Sequence, residues 1–128
     1  GALRGARRAA AVATVRNEGS YALGVMSQML RFADGAPSCA ADNTAVTFTS
    51  ASDKQQTIFS CTGDRAIASN SARLTSTKVE TQSCSITCSP IGDEVSVVFT
   101  LFPAGATDSI IDSASVTFDS QVDVRNFR

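Results

Sequence analysis

Apolar residues early in the chain recur at helical spacing. Ala22, Val25, Met26, Met29, Leu30 and Ala33 share one face, with Gln28 and Arg31 opposite, which predicts a helix with a single buried stripe. Residues 1–33 are rich in Ala, Arg, Leu and Met and free of Pro, so the helix is expected to fill this whole segment. Before Tyr21 the only larger apolar groups are Leu3, Val12 and Val15. Residues 21–33 are therefore expected to dock on a core and residues 1–16 to project from it. Gly19 and Gly24 each cost about 1 kcal/mol relative to Ala, placing a soft point near 18–20. Asp34-Gly35 followed by Pro37 should end the helix.

Beyond a connecting loop at 34–44 the period changes from helical to alternating. Ala45-Val-Thr-Phe-Thr49 and Gln56-Thr-Ile-Phe-Ser-Cys61, separated by a polar turn at 52–55, read as a hairpin. A short strand is expected within 65–69, and weaker strand signals lie at Leu74, Val79 and 82–89. The run 95–102 is the strongest strand. In 115–124, Val116, Phe118, Ser120, Val122 and Val124 alternate with polar groups on one face. One helix followed only by closely spaced strands predicts an α+β fold, a long N-terminal helix packed on an antiparallel sheet. No repeat or low-complexity linker divides the 128 residues, so a single domain is expected, with 45–128 as its sheet region. Val25, Met26, Met29 and Leu30 should meet Phe99, Phe118 and Val122, beside Val97, at the helix–sheet contact.

The missing residue types narrow the chemistry. The chain has no His and no Trp. Imidazole-based nucleophiles and His-ligated metals are thereby excluded, and aromatic stacking platforms are poorly supplied. Asp93, Glu94, Asp108 and Asp112 sit in turn-like contexts, where carboxylates cap and solvate. No catalytic residue, metal site or cofactor is expected, and the chain reads as non-enzymatic.

Cys39, Cys61, Cys84 and Cys88 form an even set without paired Cys-x-x-Cys knuckles. Four thiolates could also hold zinc, but two disulfides are the better reading, and they imply an exported, oxidising location. Three pairings are open. On an ideal strand Cys84 and Cys88 would stand about 13 Å apart, too far to bridge unless 85–87 turns back. Cys39–Cys61 with a small Cys84–Cys88 loop is the preferred pairing, because it would tie the helix-to-sheet loop to the sheet.

The net charge of -1 hides a strong asymmetry. Residues 1–32 carry five arginines against Glu18, a net of +4, while residues 33–128 carry six cations and eleven carboxylates, a net of −5. Arg4, Arg7, Arg8 and Arg16 are the candidate assembly interface, since no groove-reading motif accompanies them that would suit nucleic acid.

Two stretches resemble a known family. RNEGSYALGVMSQMLRFA at 16–33 resembles the segment just past the membrane span of bacterial type IV pilins and pseudopilins, and VTFDSQVDVRNF at 116–127 resembles the closing strand of many minor pilin-like proteins. The resemblance implies a non-enzymatic minor pilin or pseudopilin of a type IV pilus or type II secretion-like fibre. Its partners would be other pilin or pseudopilin subunits. It would be anchored in the membrane through an N-terminal apolar helix before assembly, and afterwards lie in an extracellular or periplasmic fibre. That apolar helix and its leader are not in this chain, which begins at Gly1 without a start Met; trimming is the expected reason. Here the family's C-terminal cysteine loop would correspond to Cys84–Cys88. The alternative function is an exported adhesive or DNA-binding module displayed at the cell surface.

Overall fold

A computed structural model describes residues 2–106 and 114–126, with side chains from residue 9 onward. Helix α1 (Ala2–Arg31) is followed by β1 (Asp34–Cys39), β2 (Ala45–Thr49), β3 (Gln56–Cys61), β4 (Ile67–Ser69), β5 (Ala72–Arg73), β6 (Val79–Cys88), β7 (Glu94–Pro103) and β8 (Val116–Asp123). The strands form two antiparallel sheets, one in the order β1-β2-β3-β4-β5 and one in the order β6-β7-β8. This corrects the expected α+β plan of a long helix on one sheet: the chain is mostly β and its strands divide. The division has a local cause. The segment linking β5 to β6 does not return β6 to the edge of the first sheet, and β6 instead pairs along its length with β7.

The hairpin β2–β3 keeps an unbroken register from Ala45 opposite Ser60 to Thr49 opposite Gln56. Its alternation turns Val46, Phe48, Thr57 and Phe59 inward. In the second sheet Cys84 lies opposite Phe99 and Phe99 opposite Phe118, while Cys88, Val95 and Val122 form another such row. Cross-strand partners share a face. One face of this sheet therefore carries Cys84, Ile86 and Cys88 on β6, the buried Val95, Val97, Phe99 and Leu101 on β7, and Phe118 and Val122 on β8. Helix α1 covers the β7–β8 part of that face, and the first sheet meets its β6 part. Both contacts drain into one core, in which Met26, Leu30, Phe59, Ile67, Ile86 and Phe99 are all fully buried.

The helix runs along β8. Gly19 sits against Phe118, the Ser27 hydroxyl donates to Ser120 Oγ at 3.4 Å, and the Arg125 N–H donates to the Arg31 carbonyl at 3.0 Å. Its buried residues are Val15, Gly19, Ala22, Met26 and Leu30, spaced three or four apart, so the stripe starts about two turns earlier than expected. Tyr21 is 62% exposed. Val25 is only half-buried and lies outside the core cluster, while Met29 and Phe118 pack against the cluster's margin. The phase is set by Val15 and by Gly19, which is no soft point. A Cβ at Gly19 would run into the Phe118 ring, whereas one at Gly24 would meet nothing within 4 Å. Gly19→Ala is therefore expected to destabilise by about 1–3 kcal/mol through overpacking, despite its better helix propensity. Gly24→Ala should stabilise by about 0.5–1 kcal/mol. Thermal unfolding of the two variants checks this; shifts of the same sign would contradict the close approach.

The region expected as a loop at 34–44 contains β1. Gly35, at φ 81, turns the chain out of the helix, and its N–H donates to the Asn126 carbonyl at 2.6 Å. A break in register between Asp34 and Ser38 accommodates Pro37, which cannot donate to a ladder.

The disulfides join Cys39 to Cys88 and Cys61 to Cys84, with Cα separations of 5.7 and 6.0 Å. This corrects the preferred Cys39–Cys61 and Cys84–Cys88 pairing, and strand geometry gives the reason. Cys39 and Cys61 lie on β1 and β3 with β2 between them, so two strand spacings, about 10 Å, separate them. Cys84 and Cys88 lie on an extended stretch of β6 without the reversal a local loop needs. Cys61 also lies two residues along β3 from Phe59, the residue level with Cys39, so the diagonal from β1 to β3 is about 12 Å, close to the spacing of about 13 Å between Cys84 and Cys88. β6 therefore runs obliquely across the first sheet and is bridged to it twice. The N–H groups of Thr81 and Ile86 donate to the carbonyls of Arg65 and Asn43 at 3.0 and 2.8 Å, closing the seam further.

Candidate assembly surface

The helix face opposite the buried stripe is small and open. Ala10, Ala13, Asn17, Ser20 and Gly24 are exposed and fall at spacings of three and four, so they line one side of α1. Arg16 is exposed beside them. It takes part in none of the ion pairs among the described residues, which join Lys54 to Asp34, Arg65 to Glu80 and Arg73 to Asp64. Arg4, Arg7 and Arg8 belong to the first turns of the same helix, but their side chains lie outside the described residues. The structure thus places all four arginines of the candidate interface on one element, N-terminal to or level with the first buried side chain, Val15.

Beside this face, a groove of about 420 Å³ lies between α1 and the stretch from β5 to β6, lined by Asn17, Glu18, Tyr21, Arg73, Leu74 and Thr77 among others. Two of its charged side chains are engaged within the chain. Glu18 Oε1 accepts from the Ser76 N–H at 2.7 Å, and the Arg73 guanidinium donates to the Thr75 and Ser76 carbonyls at 3.1 and 3.3 Å. A second hollow of about 410 Å³ borders the Cys39–Cys88 bridge, with Ile91 exposed at its rim.

Asp42, Asp64 and Asp93 behave as turn groups, whereas Glu94, expected in a turn, opens β7 opposite Asp123. Asp93 accepts from the Ser89 hydroxyl at 2.6 Å. The Thr44 hydroxyl, at 2.7 Å, holds the Asp42 carboxyl below its ordinary range, with the Thr44 N–H adding to the effect. The Thr62 hydroxyl does the same for Asp64, with a smaller contribution from Arg73. Asp108 and Asp112 lie outside the described residues. Among the described residues, no group of three or more His, Cys, Asp or Glu is placed to hold a metal, and no helix is long and apolar enough to cross a membrane.

The Arg-Asn pair after β8 has a structural task that its sequence does not announce. The Arg125 guanidinium lies 5.3 Å from the Phe32 ring centroid, and the backbone of the pair fastens the helix end and the start of β1. The sequence signal for the longer buried stripe of α1 is Val15 with Gly19, one helical turn apart and in phase with Ala22, Met26 and Leu30. No family model, curated protein or solved structure matches the chain.

Proposed function

We propose that the chain is a non-enzymatic structural subunit of an exported fibre, of the minor pilin or pseudopilin kind that the sequence resembles. The observation that carries this reading is the two-sided helix. One stripe is fixed to the sheets from Val15 to Leu30. The other is a row of small side chains ending in an arginine-rich segment of about a dozen residues, and small side chains allow close helix–helix approach. Such a helix supplies a folded head on one side and a packing surface on the other. The two inter-sheet disulfides suit an oxidising, exported location, where the mature subunit would be held in the membrane until incorporated. The adhesive or DNA-binding alternative gains less support. On the outer face of the β6–β7–β8 sheet the charged side chains of β7 and β8 are carboxylates, which repel phosphate.

A photo-cross-linking residue placed at Ser20 of the full-length protein in its own cells tests this. Adducts to fibre subunits, and recovery of the chain with isolated fibres, are expected. Recovery only as a freely soluble protein without adducts would overturn the reading.

A further inference from the structure

The two disulfides are alike in burial and unlike in surroundings. All four cysteines are half-buried. Cys39 and Cys88 are the last residues of β1 and β6, and both line the hollow of about 410 Å³ that Ile91 borders. The rest of its wall, with Pro37, Ala40, Asn43 and Pro90 among others, carries no charged side chain, so no lining carboxylate repels an incoming thiolate. Cys84, by contrast, lies mid-strand opposite Phe99, and Cys61 lies opposite Ile67 of β4. Neither lines either of the two hollows described above. β1 is also an edge strand with a break in its register, and such strand ends open at lower free energy than the middle of a core strand.

We propose that Cys39–Cys88 is a site of thiol–disulfide exchange, open to a dithiol reductant while Cys61–Cys84 stays closed. A thiolate of the dithiol attacks one sulfur of the bridge, forming a mixed disulfide and releasing the other cysteine as a thiolate. The second thiol of the reductant, once deprotonated, attacks the mixed disulfide and frees the first cysteine. Two electrons pass to the protein, the two protons of the dithiol end on Cys39 and Cys88, and the reductant leaves as a disulfide. The same steps in reverse, with the oxidised partner, close the bridge. The preference is one of rate, which access controls, and not of bridge strength, since Cys39–Cys88 closes the longer loop. The two bridges stand about 12–13 Å apart, beyond the roughly 7 Å between Cα atoms that a disulfide can span. Freed thiols therefore cannot attack Cys61–Cys84, and exchange stops at one defined single-bridge state. In that state β1 keeps its ladder to β2 and loses its covalent tie to β6. The partner this chemistry fits is a dithiol oxidoreductase, to which the exposed Pro90 and Ile91 offer apolar contact at the rim. The inference goes beyond the fibre-subunit reading and does not rest on it.

Timed reduction of the purified, folded chain with dithiothreitol tests this, with freed thiols trapped by N-ethylmaleimide and located by peptide mass mapping. Cys39 and Cys88 are expected to be labelled together, at least about tenfold faster than Cys61 and Cys84, through an intermediate that keeps Cys61–Cys84. In concentrated guanidinium chloride the preference should vanish, because it belongs to the fold. Ala40→Phe narrows the hollow from its exposed wall and should slow opening of Cys39–Cys88 at least about threefold in the folded chain. The inference is overturned if Cys61–Cys84 opens first or equally fast, if both bridges resist the dithiol, or if the intermediate holds scrambled pairs. A preference that survives unfolding, or an Ala40→Phe variant reduced as fast as the unmodified chain, would overturn it too. None of these results bears on recovery of the protein with fibres in cells, so the two readings fail separately.

Discussion

Replacing Cys39 and Cys88 together by Ala is expected to cost about 4 kcal/mol of stability. The bridge spans a sequence separation of 49, and closing a loop of that length in the unfolded chain removes conformational entropy that grows with the logarithm of its size. The Cys61–Cys84 bridge, with a separation of 23, should be worth about 3.4 kcal/mol on the same basis. The two loops overlap, so the effects should not simply add. Denaturant unfolding of the single-bridge variants measures both. A loss below about 1 kcal/mol for the longer bridge would mean that the sheets hold their relation without it.

Phe99→Ala should be the most damaging single core substitution tested, at about 3–5 kcal/mol. Phe99 is fully buried near the middle of β7. Its neighbours across the ladder are Cys84 on one side and Phe118 on the other, with the two phenyl rings stacked at 5.2 Å. Truncation would leave a void where the helix, the second sheet and a disulfide meet, and Gly19 on the far side of Phe118 has no side chain to fill it. Phe32, 44% exposed at the end of the helix, provides the contrast: Phe32→Ala forfeits mainly its stacking with Arg125 and should cost about 1 kcal/mol or less. Similar losses at both positions, read from the same unfolding curves, would show that the core is not centred on β7.

The strands were legible wherever the alternation was clean. The hairpin at 45–61, the run at 95–102 and the closing strand at 115–124 all sit where the spacing of their Phe, Val and Thr residues put them, because a strand with one buried face must alternate whatever it packs against. The partition into two sheets was not legible. Periodicity states which residues turn inward and is silent on which strands pair. The same silence misled the disulfide pairing, which depends on β2 lying between Cys39 and Cys61 and on β6 running straight through Cys84 and Cys88. β1 was hidden by Asp34, Gly35 and Pro37, residues that signal a break in helix and strand alike. On the helix, Tyr21 drew attention by its size and Gly19 by its poor propensity. Packing reversed both: the ring is outside, and the glycine lies against Phe118. For the candidate assembly surface, the charge asymmetry was visible in the chain, whereas the placement of the helix and of the exposed β8 carboxylates on opposite sides of one sheet was not.

That separation of inner from outer face depends on β6 turning Cys84 and Cys88 toward the first sheet, so the disulfide map is its most direct test. Tryptic cleavage of the unreduced protein after Arg31, Lys54, Arg65, Lys78 and Arg125 leaves Cys39 in 32–54, Cys61 in 55–65, and both Cys84 and Cys88 in 79–125. Bridges from Cys39 to Cys88 and from Cys61 to Cys84 predict that all three peptides remain linked in one species, which fragmentation between Cys84 and Cys88 resolves into the two pairs. A linked pair of 32–54 with 55–65, accompanied by a separate 79–125 containing its own bridge, would contradict the two-sheet arrangement.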